Sequence, residues 1–241
     1  MRLGLISDVH ANVLALEAVL RELKRRGAET ILCLGDVVGY GPSPNETLEL
    51  LRRERVMCLL GAADEQVAFA FARPRRPRAG VADETLEWTR SVIHPEHVAF
   101  LRQLPVQLRL QTPLGRLRAC HGTLGQGERI SLHQDAAALT RLLAAQRCQL
   151  LAVGNSHVPF YHALQAGWVI NPGSVGLSLN GEPGADYALL SFSERGLEVV
   201  MDKVDYDVAA VAFDIVAWGL PKAVAEAVQR GKMTEKLPGR F

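Results

Sequence analysis

Residues 2–10, RLGLISDVH, contain an apolar run that halts at the polar Asp8-Val9-His10, as a buried strand does on reaching the edge of a sheet. Just beyond it Asn12 is placed to cap a helix. Val13, Leu16, Val19, Leu20 and Leu23 then recur at helical spacing with charges on the other face, and Gly27 is the stop. Thr30-Ile31-Leu32-Cys33-Leu34 predicts a second strand that ends in Gly35-Asp36. A strand, helix and strand within ~35 residues read as one right-handed parallel βαβ unit. A helix over about 45–55 and a strand over Val56–Leu60, ending in Gly61-Ala62-Ala63-Asp64, repeat the pattern. Parallel strands share a direction, so the loops after Ser7, Leu34 and Leu60 gather on one carboxyl edge, where open α/β sheets hold ligands.

Farther along, residues 73–80, RPRRPRAG, suit neither strand nor helix and read as a loop. Helical patches are expected near 83–91 and 95–103. Val106–Leu110 and Arg116–Cys120, joined by Thr112-Pro113-Leu114-Gly115, predict a β-hairpin feeding into His121-Gly122. A helix near 135–146 leads to the strand Leu150–Val153 and then to Gly154-Asn155-Ser156-His157. Residues 160–203 hold several short strands with glycine turns, and a last helical region spans about 206–230. No internal repeat interrupts the chain, so residues 1–241 are expected to form a single domain built on two sheets.

Composition removes several classes of function. At 48% hydrophobic and 22% charged residues, the 241-residue chain buries a real core and is not a disordered protein. Twenty-seven Lys and Arg against 26 Asp and Glu leave a net charge of +1, so no global field draws it to nucleic acid or an anionic membrane. No apolar run reaches the ~18 residues of a membrane helix, and the first residues lack an apolar stretch long enough for a signal peptide. A cytoplasmic location is expected. Cys33, Cys58, Cys120 and Cys148 have no CxxC spacing and read as buried free thiols.

The chemistry concentrates at the strand ends. Asp8 and His10, two apart, point to the same side and make a workable pair of metal ligands. Asp36 after Gly35, His121 before Gly122, and His157 each follow an apolar strand in the same manner.

The motifs Asp8-Val9-His10, Gly35-Asp36, His121-Gly122 and Gly154-Asn155-Ser156-His157, in this order, resemble those of the calcineurin-like metallophosphoesterases. The likeness extends to Gly35–Pro42, to Trp88-Thr89-Arg90 and to Asn171–Gly176, which are similar to the bacterial phosphodiesterase and phosphatase branch. The resemblance implies an α/β fold of four layers, α/β/β/α, with two mixed sheets flanked by helices. It also implies hydrolysis of a phosphate ester by a metal-bound hydroxide, with one or two divalent ions clamping the phosphate oxygens. Carboxylate and imidazole donors suit Mn, Fe or Zn, with Mg or Ni as further candidates. Carried over, Asp8, His10, Asp36 and His157 hold the first metal, and Asp36 bridges to a second held also by His121. Asp36, His121 and His157 are the expected catalytic residues.

The chain departs from that pattern at three positions. Ala62 stands where the family has a ligating Asn, Ala63 where it has a His that assists the transition state or the leaving group, and Asn155 where it has a ligating His. Alanine neither ligates nor transfers a proton. Three readings follow: a mononuclear hydrolase, a second site rebuilt with Asn155, Asp64 or Glu65, or a regulatory protein that binds metal and phosphate without turnover.

Other features have plainer readings. Asn45 either meets substrate or, with Ser43, caps a helix. Gly35, Gly39 and Gly41 make tight turns and lack the spacing of a nucleotide-binding loop. Asn171-Pro172-Gly173-Ser174 is a turn that buttresses the site. Arg73, Arg75 and Arg76, with Arg78, are candidates to hold a phosphate-rich substrate. His94, His97, His133 and His162 read as surface or packing residues, His133 and His162 being the expected exceptions because each lies near a motif histidine. A small phosphate-containing substrate, no sequence-specific nucleic acid, no membrane and a homodimer paired through the 206–230 helices complete the expected partners.

Overall fold

A computed structural model of the chain describes residues 1–69, 80–122, 130, 132–193 and 196–233. The arginine cluster at 73–78 lies outside the described residues. In chain order the elements are β1 (Arg2–Ile6), α1 (Val13–Arg25), β2 (Thr30–Cys33), α2 (Pro44–Arg53), β3 (Met57–Cys58), α3 (Ala62–Ala68), α4 (Val81–Val92) and α5 (Pro95–Leu101). Then come β4 (Gln107–Thr112), β5 (Gly115–Cys120), α6 (Ala136–Gln146), β6 (Leu150–Val153), β7 (Phe160–Leu164) and β8 (Gly167–Asn171). The chain continues with β9 (Ala185–Ser193), β10 (Gly196–Val204), α7 (Val208–Ala217) and α8 (Lys222–Arg230).

Two mixed five-stranded sheets result, ordered β10-β9-β1-β2-β3 and β4-β5-β6-β8-β7. Each has a parallel core, β1-β2-β3 in one and β5-β6-β8 in the other, with antiparallel strands at the flanks. The alternation of a strand divides the leucines between layers. Leu3 and Leu5 of β1 meet Leu117, Ala119, Leu150 and Ala152 in the seam between the sheets. Ile6 instead faces the α1 residues Leu16, Val19, Leu20 and Leu23. In the second sheet Leu151 and Val153 face outward to Leu139 and Leu143 of α6. Burying each such leucine contributes roughly 1.5–3 kcal/mol. The layer order is therefore the expected helix, sheet, sheet, helix.

Asn12 caps α1 as predicted, its Oδ1 accepting from the Ala15 N–H at 3.1 Å. All four cysteines are free and buried. Two expectations change, and a third is resolved in detail. The strand predicted over 56–60 pairs only at Met57–Cys58, because the Leu60 N–H leaves the ladder and donates to the Pro105 carbonyl. Strands β9 and β10 are nine residues each rather than short. The 206–230 region is two helices, interrupted where Gly219 takes φ +75° and Pro221 follows two residues later.

Candidate metal centre

The loops after β1 and β2 are zipped by main-chain hydrogen bonds before any side chain contributes. The Asp8 N–H donates to the Gly35 carbonyl, His10 to Asp36 and Ala11 to Val37, at 2.8–3.0 Å. From the second sheet side, the Ser174 hydroxyl donates to the Asp8 carbonyl at 2.7 Å, and Gly176 N–H reaches the same oxygen. Approach is close enough that a Cβ on Gly176 would lie 1.8 Å from the Val9 carbonyl, and one on Gly61 2.0 Å from the Asp36 nitrogen. Asp8, His10, Asp36, Asn155 and His157 all adopt φ between 48° and 67°. Such backbone costs about 1–3 kcal/mol per residue and persists where the surroundings over-determine it. Here that strain coincides with the candidate ligands.

Their side chains converge. The Asp8 Oδ1 atom lies 3.2 Å from His157 Nε2 and 3.9 Å from the Nε2 atoms of His10 and His121. Asp36 Oδ2 is 3.1 Å from His121 Nε2 and 3.9 Å from His10 Nε2, so it stands between those two imidazoles. Each carboxylate spends its other oxygen on the backbone, Asp8 Oδ2 accepting from Asn155 N–H and Asp36 Oδ1 from Ala63 N–H. Two overlapping groups of donors result, Asp8-His10-His157 and Asp8-Asp36-His121, all of them buried.

The donor set fits divalent ions. Every Nδ1 of the three histidines faces a main-chain carbonyl: Val38 for His10, Leu34 for His121 and Leu177 for His157, at 2.8–3.2 Å. A carbonyl only accepts, so Nδ1 carries the proton and the Nε2 lone pair points inward, the orientation a metal-ligating histidine takes. His10 Nε2 and His157 Nε2 then oppose each other at 3.1 Å, which needs a cation or a proton between them. The buried Asp8 Oδ1 and His121 Nε2 make no hydrogen bond, and a metal satisfies both.

Electrostatics agree with the geometry. Burial pushes the Asp8 and Asp36 carboxyls up, but the facing imidazoles, His157 for Asp8 and His121 for Asp36, carry both below the usual carboxylate range. Burial lowers His10 to about 4, assisted by His157. Against the desolvation that would lower them, Asp36 raises His121 to about 10 and Asp8 raises His157. The two carboxylates thus favour a positive charge beside them, whether on the imidazoles or on a bound cation.

The end of β3 is different. Ala63 is 1% exposed and contributes only its N–H to Asp36. Asp64, expected as a substitute ligand, uses Oδ1 for the Val37 and Val38 amides and Oδ2 for the Gly61 amide, at 2.9–3.0 Å. Burial raises its carboxyl to about 7. It is a clamp between two loops. Glu65 joins neither convergent group among the described residues. Asn155 sits beside the His121 loop, where a Cβ on Gly122 would lie 2.9 Å from its Nδ2.

Asn45 neither caps α2 nor meets this cluster; it accepts from His94 N–H and donates to the Val92 carbonyl. The 171–174 turn buttresses the site, Asn171 donating to the Gly154 carbonyl and to Ser156 Oγ. His133 is exposed and His162 lies on β7 against Phe160, so neither joins the cluster. Sequence reading missed Tyr40, whose ring meets the His10 ring edge-on at 4.8 Å, and the carbonyls of Leu34, Val38 and Leu177. A carbonyl carries no sequence signature, so nothing in the chain pointed to those three.

Fold and site together define an α/β protein with a buried carboxylate–imidazole cluster, a candidate centre for divalent metal, at the carboxyl edge between two sheets. The chain belongs to the calcineurin-like phosphoesterase superfamily, whose domain profile matches residues 1–195. It is 30% identical over 246 residues to the uncharacterized protein MJ0912 of Methanocaldococcus jannaschii, covering 95% of this chain and 98% of that one. A crystal structure of a metallophosphoesterase from Sphaerobacter thermophilus is 30% identical, with 96% of this chain and 99% of that chain covered and a TM-score of 0.77. The hypothetical protein PH1004 of Pyrococcus horikoshii shares the fold at TM-score 0.84 and 24% identity, over 97% and 99% of the two chains. Among the described residues, no helix is long and apolar enough to cross a membrane.

Proposed function

We propose that the protein hydrolyses a small phosphate ester, a phosphodiester or phosphomonoester of nucleotide-derived type, in a divalent-metal-dependent reaction. The observation that carries this reading is the inward convergence of three Nε2 lone pairs and two carboxylate oxygens, with Asp8 Oδ1 and His121 Nε2 left to a cation. In this reading Asp8, His10, Asp36 and His157 hold one ion, while Asp36 and His121, with Asn155 beside them, hold a second. Mn, Fe and Zn suit the mixed donors best, and Mg or Ni remain candidates. Bound there, divalent ions supply Lewis acidity toward phosphate oxygens and acidify water.

The chain's own residues do the rest. Asp36, His121 and His157 are the proposed catalytic residues. The carbonyls of Leu34, Val38 and Leu177 hold the imidazoles in one tautomer, so no rotation is needed during reaction. The strained loops fix the donors in advance. Arg73, Arg75 and Arg76 remain proposed contacts to a phosphate-rich substrate. A single domain over 1–241, a cytoplasmic location and a homodimer belong to the same reading; exposed Phe213, Val216 and Trp218 around α7 support the pairing.

Ala62 and Ala63 favour a second reading, a regulatory protein that binds metal and phosphate without turnover. Hydrolysis of chromogenic phosphomonoesters and diesters with added Mn²⁺ decides between them, with Asp36→Asn as the blank. Wild-type rates well above the blank are expected. Rates equal to it across substrates and metals favour the regulatory protein.

A further inference from the structure

A second group of metal-type donors lies outside the cluster described above, at the junction of α2 and α5. Asn45 pins this corner through its bonds to Val92 and His94, which fixes the start of the segment His94-Pro95-Glu96-His97 against α2. Glu49, four residues after Asn45, lies on the same face of α2. Its Oε1 is 3.6 Å from His97 Nε2. The His94 and His97 rings stack with centroids 5.8 Å apart and planes 9° from parallel. One donor atom from each of His94, Glu96 and His97 falls within 4.8 Å of the others.

His97 supplies the independent observation. It is 1% exposed, yet neither ring nitrogen has a hydrogen-bond partner among the described residues. A buried imidazole in that state keeps its desolvation penalty unless something takes up the lone pair. The Glu49 side chain is 60% exposed, so water holds most of its charge and it compensates His97 weakly. We propose that His94, Glu96, His97 and Glu49 bind a separate divalent cation of the zinc class, which clips the first turn of α5 to α2. Two imidazoles with carboxylate oxygens are an ordinary zinc donor set, and tetrahedral bonds of about 2.0–2.1 Å bring donors to about 3.4 Å from one another. His94, Glu96 and Glu49 are exposed and free to close that gap, while buried His97 stays fixed.

The test is the zinc retained per full-length chain after gel filtration in micromolar ZnCl₂. Wild type is expected to keep about one zinc more than His94→Ala, whereas Asp8→Asn loses zinc from the other cluster and keeps this one. Equal zinc in wild type and His94→Ala overturns the site and leaves only the 3.6 Å contact between His97 and Glu49. Replacing buried His97 endangers folding, so Glu49→Gln serves as the second variant, with weaker retention expected and unchanged retention counting against Glu49 as a ligand. In zinc-soaked crystals of the full chain an anomalous peak against both imidazoles is expected. A peak only at the Asp8 cluster overturns the proposal.

Discussion

The ends of β1 and β2 and the end of β3 occupy equivalent places on one carboxyl edge, yet they serve the site by different means. From the first two come Asp8, His10 and Asp36, whose side chains enter the cluster. From the third come Ala62 and Ala63, which offer no donor, and Asp64, whose carboxylate faces three backbone amides. The Ala63 N–H still orients Asp36. Topology thus brings a segment to the edge, and residue identity decides whether it contributes chemistry or only holds the segments that do.

Five perturbations sharpen or break that contrast. The largest effect is expected at the β1 end: Asp8→Asn should lower kcat/KM for a chromogenic diester by about 10³-fold, about 4 kcal/mol, with loss of bound metal measured in parallel. Activity near wild type would break the assignment of chemistry to β1.

Next in size is the β3 clamp. Asp64→Ala strands the Val37, Val38 and Gly61 amides, at ~1 kcal/mol each, or roughly 3 kcal/mol together. That corresponds to a fall in Tm of roughly 6–12 °C. Calorimetry reads it, and an unchanged Tm would show that Asp64 is not a clamp.

A third effect follows from protonation. His121 holds a proton up to about 10 and His157 is raised, while a metal needs both Nε2 lone pairs. Protons must leave on binding, so affinity for Mn²⁺ should weaken as pH falls from 8 to 6, by about tenfold per unit for each proton released, or ~1.4 kcal/mol. Competition with a fluorescent chelator across that range checks the sign, and pH-independent affinity would contradict it.

The smallest effect on metal binding is expected at Ala62, which is half-buried and precedes Ala63, whose N–H donates to Asp36. Ala62→Asn should change metal affinity by less than about threefold, below ~1 kcal/mol. A gain of about tenfold or more in the same competition assay would mean that the β3 end is a lapsed ligand site rather than scaffold. Adding Ala63→His should lower stability by about 1–3 kcal/mol, because that methyl is buried and faces Gly39.

Much of this was legible in the chain. The apolar runs that lead to Asp8, Asp36, His121 and His157 define strands that deliver polar groups to one edge, since local hydrophobic patterning and strand direction are properties of short segments. The Asn12 cap and the β4–β5 hairpin were readable for the same reason. Asp64 as a clamp, Asn45 as a pin and His97 as a buried imidazole beside Glu49 were not readable. Each depends on which distant backbone atom or side chain lies a few ångströms away, and that is set only when the sheets and helices pack. The same holds for the left-handed backbone at Asp8, His10, Asp36, Asn155 and His157: Asp, Asn and His tolerate that conformation better than other side chains, but tolerance does not select it, and hydrogen bonds between loops far apart in sequence sustain it. Residue order alone determined which donors reach the edge; tertiary packing decided which way each one faces, because orientation is fixed by partners the sequence does not place side by side.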